Sequence, residues 1–122
     1  MKIAITSTGN TLDSEVDPRF GRAAFFLIVD TDTGEFTAVE NDAANVGGGA
    51  GISAGKVVAD AGAKAVLTGN CGPNAERTLS AAGIQLYTAV TGTAAQALEL
   101  FRAGKLSQAS GPNVSSHFGT GL

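Results

Sequence analysis

One cysteine, one histidine and no tryptophan leave this 122-residue chain with little of the usual equipment for chemistry. A lone Cys71 forms no internal disulfide, which agrees with a reducing compartment. The one histidine, His117, falls in the last stretch, so a Ser–His or Cys–His nucleophile pair would need that stretch to fold back. Cys/His spacing for structural zinc is absent, and so is an HExxH motif. Gly47-Gly48-Gly49-Ala50-Gly51 followed by Gly55-Lys56 has a superficial P-loop look, but Val57 follows the lysine and a polar segment precedes it. Charged residues are only 16% of the chain, well under the usual quarter. Net charge is −3 and no Lys/Arg cluster occurs, which argues against nucleic acid as a partner. No apolar run approaches the ~20 residues of a membrane span. Met1-Lys2-Ile3-Ala4-Ile5 enters a strand pattern directly, without a signal-peptide core. The expectation is a cytoplasmic protein.

What the chain has instead is 17 glycines and a regular alternation of elements. Lys2–Ser7 places Ile3 and Ile5 at strand spacing. A polar segment, Thr8–Arg22, carries turn signals at Gly9-Asn10 and Asp17-Pro18. Ala23–Asp30 is a nearly continuous apolar strand, in which Phe25 and Phe26 place one ring on each side of the sheet. Thr31-Asp32-Thr33-Gly34 is a hairpin turn, and Glu35–Asn41 is the return strand. Asn41–Gly51 reads as a loop. A helix follows over Ile52–Ala61, with Ile52, Val57, Val58 and Ala59 at helical intervals and Gly62 closing it. Val66-Leu67 makes a buried strand. It ends in the turn Thr68–Pro73, and a helix over Asn74–Ala82 follows, with Pro73 suited to its first position. Ile84–Thr88 is a short strand. Thr91-Gly92-Thr93 starts a last helix with an Ala94, Ala97, Leu98 and Phe101 face. The pattern predicts an α/β domain over residues 1–106, a mixed five-stranded sheet with about three helices and a ribonuclease-H-like shape. Residues 107–122 read as a flexible C-terminal tail.

The sheet order brings three segments to one end, where open α/β sheets bind ligands. They are Ser7–Arg22, Asn45–Ile52 and Thr68–Asn74. Two of them lead into helix N-termini, where unpaired N–H groups attract negative charge and glycine lets the backbone come close. Arg19 and Arg22 add positive charge. Plainer readings stand beside these. Gly47–Gly51 also reads as a linker, Arg22 as a surface ion pair with Asp17 or Glu15, and Asn70 and Asn74 as helix caps. Cys71 reads either as an inert buried thiol or as a thiolate favoured by the helix N-terminus and open to a soft metal.

Several of these pieces, in this order, resemble one family. They are Lys2-Ile3-Ala4-Ile5, Arg19-Phe20-Gly21-Arg22-Ala23 with Phe26, Gly48-Gly49-Ala50-Gly51-Ile52, Thr68–Ala75, Ala81–Ile84 and Phe101–Leu106. The chain is similar to the dinitrogenase iron-molybdenum cofactor biosynthesis proteins, the NifX/NafY-like group. The resemblance implies a small ribonuclease-H-like domain that binds or carries a molybdenum- or iron-containing sulfide cluster. Its short stand-alone members hold a molybdenum–copper sulfide cluster without covalent attachment and work with partner ATPases in a complex linked to cell division. Cofactor carriers of the family often have a histidine before the first Phe-Gly. Here that place is Arg19, which suits electrostatic holding over ligation of an iron–molybdenum cofactor.

The expected function is therefore non-enzymatic binding or carrying of a Mo–Cu sulfide cluster. The expected cluster-binding residues are Arg19, Phe20, Gly21, Arg22, Gly48, Gly49, Gly51, Asn70, Cys71, Gly72 and Asn74, with Cys71 as the candidate metal contact. An apolar floor would come from Phe20, Val46 and Ile52. Three alternatives remain: a metal-free module that docks a partner ATPase, a carrier of iron-molybdenum cofactor in nitrogenase maturation, and an enzyme acting on a phosphate-bearing molecule. The last lacks a general base near the glycine turns.

Overall fold

A computed structural model describes residues 1–42 and 49–109. Lys2–Ser7 forms β1, Phe25–Asp30 β2, Phe36–Glu40 β3, Ala65–Leu67 β4 and Gln85–Tyr87 β5. Ala50–Asp60 forms α1, Pro73–Ala81 α2 and Ala94–Arg102 α3. The five strands make one sheet in the order β3-β2-β1-β4-β5. β1 runs antiparallel to β2 and parallel to β4, β2 runs antiparallel to β3, and β4 runs parallel to β5. The predicted mixed five-stranded sheet with three helices is the observed one.

β1 lies at the centre, and both its faces are covered. Ala4 joins Phe26, Ile28, Val66, Ala54, Val58 and Leu79 in a core under α1 and α2. Ile3 and Ile5 join Leu27, Val29, Leu67, Ala97 and Leu98 in a second core under α3. Burial on both sides explains why β2 is continuously apolar, where a half-exposed strand would alternate. Phe26 is fully buried, whereas Phe25, paired with Ser7 at the sheet end, is only half-buried. The expectation of a core ring on each face therefore holds for one ring of the two. β2 also starts at Phe25 instead of Ala23, because the Ala24 N–H donates to the Asp17 carboxylate and its carbonyl accepts from Asn41.

α1 begins two residues before Ile52. Gly49 adopts the left-handed conformation at the N-cap (φ 76°), so Ala50 and Gly51 are already helical. The buried face is accordingly Ala50, Ala54, Gly55 and Val58, and Ile52 is 47% exposed, so it contributes no apolar floor. Gly55 meets α2 at Thr78, where a Cβ would stand 3.1 Å from the Thr78 Cβ. α3 has a full capping box: Thr93 accepts from the Gln96 N–H while the Gln96 side chain accepts from the Thr93 N–H. Beyond α3 the chain stays on the sheet as far as it is described. Gln108 bridges Tyr87, and the Ala109 N–H donates to the Leu86 carbonyl at 2.7 Å. His117 and residues 110–122 lie outside the described residues. Among the described residues no helix is long and apolar enough to cross a membrane.

A Gly55→Leu substitution would wedge α1 from α2 and is expected to destabilise the fold by about 1–3 kcal/mol. Urea unfolding checks this: the midpoint should fall at an unchanged slope, and an unchanged midpoint would contradict the close α1–α2 contact.

Candidate functional site

The carboxyl end of β1 opens into the Thr8–Ala24 segment, and its turn is built on Asp17. The Asp17 main chain is fixed to β1: its N–H donates to the Thr6 carbonyl at 2.9 Å, and its carbonyl accepts from the Thr6 hydroxyl at 2.8 Å. Its side chain, 3% exposed, accepts from the Arg19 N–H at 3.0 Å and the Ala24 N–H at 3.3 Å. The bond from Asp17 to the residue two positions on is an Asx turn, a common use of Asp before Pro. Arg19 lies over this turn with its Nε 3.4 Å from Asp17 Oδ1, and its side chain is 53% exposed. Asp17 thus forms an ion pair with Arg19. Arg22 is exposed.

The same loop is clamped to the turn after β4. The Phe20 N–H donates to the Asn70 carbonyl at 3.1 Å, and the Asn70 amide donates back to the Pro18 carbonyl at 3.0 Å. A Cβ on Gly69 would sit 2.7 Å from the Pro18 Cα, so this approach requires glycine. On the other side, a Cβ on Gly21 would lie 3.0 Å from the Gly51 nitrogen, and one on Gly51 would lie 3.0 Å from the Ala75 Cβ. The loop, the first turn of α1 and the first turn of α2 therefore meet at Gly21, Gly51 and Ala75. Asn41 closes the arrangement by donating from Nδ2 to the Gly21 and Ala23 carbonyls. Phe20 turns inward, 1% exposed, and packs on Phe26 with ring centroids 5.6 Å apart.

Of the expected residues, Arg19 and Phe20 lie against Asn70, and Gly21 lies against Gly51; two of the expected roles change. Gly21 and Gly51 serve close packing, so the space their missing side chains leave is filled by protein. Neither Asn70 nor Asn74 caps α2: its N-cap is Gly72, without a side-chain bond, and Asn74 Oδ1 accepts from Arg77 Nη2 at 2.6 Å. Gly48, with Asn45, Val46 and Gly47, lies outside the described residues. Two grooves lie away from this junction, one between α2 and β5 beside Gln108 and one along α3 beside Leu100.

The family model for dinitrogenase iron-molybdenum cofactor matches residues 1–104. The chain belongs to this dinitrogenase iron-molybdenum cofactor family. The apo form of the orange protein from Desulfovibrio gigas is 45% identical, with 92% of this chain and 95% of that one covered, at a TM-score of 0.90. A Thermotoga protein is 36% identical over 88% of this chain and 91% of its own, at a TM-score of 0.77. An uncharacterised protein of Methanocaldococcus jannaschii is 35% identical over 109 residues, 87% of this chain and 89% of its own.

In this family member the buried polar set at the sheet end was not evident from sequence. Thr6, Thr68, Asp17 and Asn41 are all buried, and the Thr6 and Thr68 hydroxyls are 2.9 Å apart. Asp17-Pro18 is the one local sign of it. Cys71 is 1% exposed, with Sγ 3.7 Å from the Gly72 carbonyl. Burial, and second the nearby Glu76 carboxylate, push its thiol up to about 12, so the expected N-terminal thiolate is not favoured here. Among the described residues no group of three or more His, Cys, Asp or Glu side chains is placed to hold a metal ion.

A thiol raised in the folded state supports the fold while it stays protonated. That contribution is complete below the ordinary value of 9.0 and is lost as pH rises towards about 12. Native protein should accordingly resist iodoacetamide in mildly alkaline buffer and react once unfolded by guanidinium. Fast stoichiometric labelling of the native form would contradict the burial assigned to Cys71.

Proposed function

We propose that this protein binds and carries an anionic molybdenum–sulfur cluster, of the molybdenum–copper sulfide type, without covalent attachment and without catalysing a reaction. The observation that carries this reading is the junction of three segments at the carboxyl end of the sheet, with Arg19 and Arg22 exposed on one of them. The first turns of α1 and α2 adjoin that loop, and helix starts favour anions. Guanidinium groups and main-chain N–H groups are donors, suited to the outer sulfides of a cluster whose metals are already coordinated by sulfur. Membership of the family and the 45% identity to the orange protein support the choice of cargo.

Within this reading Arg19 and Arg22 supply charge. The backbone of Gly49–Gly51 and of Gly72 and Asn74 supplies N–H groups, Asn70 orders the loop, and Gly48 is carried over from the sequence as a further glycine contact. Phe20 and Cys71 support the cradle from beneath. Copper would take Cys71 as a ligand only by displacing its proton and uncovering it. We further place the domain among ribonuclease-H-like folds, supported by three antiparallel strands followed by two parallel ones, and place the protein in the cytoplasm.

Titration of apo-protein with tetrathiomolybdate and copper(I), followed by visible absorption, tests the reading. A saturable charge-transfer band is expected. Arg19→Ala with Arg22→Ala should weaken binding by about tenfold or more, the scale of hydrogen bonds to charged groups, and Cys71→Ser should bind as the native protein does. Equal affinity in the double arginine variant would remove the electrostatic cradle. No band at all would favour a metal-free module that docks a partner ATPase.

A further inference from the structure

Resting on that cluster-binding reading, we infer that Asp17 is a positioning residue for the anionic cargo, acting through Arg19. An arginine that is 53% exposed ordinarily samples many rotamers, and ordering it on binding costs affinity. Here the ordering is done beforehand. The Asp17 carboxylate takes the Arg19 main-chain N–H at 3.0 Å and its Nε at 3.4 Å with the same oxygen, Oδ1. Oδ2 takes the Ala24 N–H at 3.3 Å, which fixes the carboxylate plane from the far end of the loop. The Asp17 backbone is itself bonded twice to Thr6 on β1. One buried residue therefore ties the guanidinium to the central strand.

The grip uses Nε and leaves the other end of the fork. Among the described residues Nη1 and Nη2 of Arg19 meet no acceptor. These donors lie in the fixed planar geometry that makes arginine selective for extended anions. Lysine at this position would have no Nε to hold and no fork to present. Asp17 also carries negative charge, which repels an anion, so on charge alone its removal would tighten anion binding. Positioning and charge thus predict opposite signs, and an experiment can separate them.

A double-mutant cycle with tetrathiomolybdate as the probe makes the separation. Asp17→Asn is expected to weaken binding about three- to tenfold where Arg19 is present, the cost of freezing one flexible side chain. In an Arg19→Ala background the same change should leave affinity equal or tighter. An equal factor in both backgrounds, or tighter binding in Asp17→Asn alone, would overturn the inference. Wild-type protein that binds no tetrathiomolybdate would instead sink the cluster-binding reading itself. Should Asp17→Asn fail to fold, wild-type NMR decides. The Arg19 Nε–H should be rigid and slow to exchange, and an Nε–H as mobile as that of exposed Arg77 would overturn the assignment.

Discussion

A carboxylate with almost no access to water must be answered by donors, and Asp17 is answered by two main-chain N–H groups and one guanidinium. This demand organises the end of the sheet that matters. The Thr8–Ala24 segment has no regular secondary structure of its own to hold the Arg19–Arg22 turn. Asp17, bonded to Thr6 on one side and to Arg19 and Ala24 on the other, holds it together with the Asn70 and Asn41 contacts. Removal of the carboxylate would orphan buried N–H groups at a cost of about 1–3 kcal/mol.

Glycine does a different job here from the one its abundance suggests. Gly21, Gly51 and Gly69 lie against neighbouring backbone or an alanine methyl, not against open space. They let three chain segments touch, so that two helix starts and an arginine-bearing loop share one small region. Gly49 is the contrasting case, a left-handed N-cap with nothing near its missing Cβ. The overall result is a rigid base of packed glycines with exposed cationic side chains above it. Such a base suits a ligand held by shape and charge, because little has to be ordered when it arrives.

The element order was legible in the sequence because each element keeps its own period. Ile3 and Ile5 in β1, the apolar run of β2, and Ala94, Ala97 and Leu98 in α3 stand where periodicity puts them. The start of α1 was not legible, since glycine signals a loop and a helix start equally well, and a left-handed Gly49 settled it. The meeting of the three segments followed from strand order, but its bonding did not. The Asp17 carboxylate, which reads as a surface group, is buried beneath Arg19, because burial depends on loops distant in sequence. Cys71 illustrates the same limit. Its position near a helix start suggests a thiolate, and the surrounding core of Phe20, Phe26, Ala75 and Leu79 reverses the preference.

The family and the orange-protein neighbour point to a metallocluster-binding or cofactor-carrier role. Arg19 and Arg22 are exposed on the loop whose Gly21 packs against the first turn of α1. The most direct test is elemental analysis with a visible spectrum on the protein purified from its own cells. The account predicts stoichiometric molybdenum with copper and a charge-transfer band that disappears on denaturation. Colourless protein free of both metals, from cells supplied with molybdenum and copper, would contradict it.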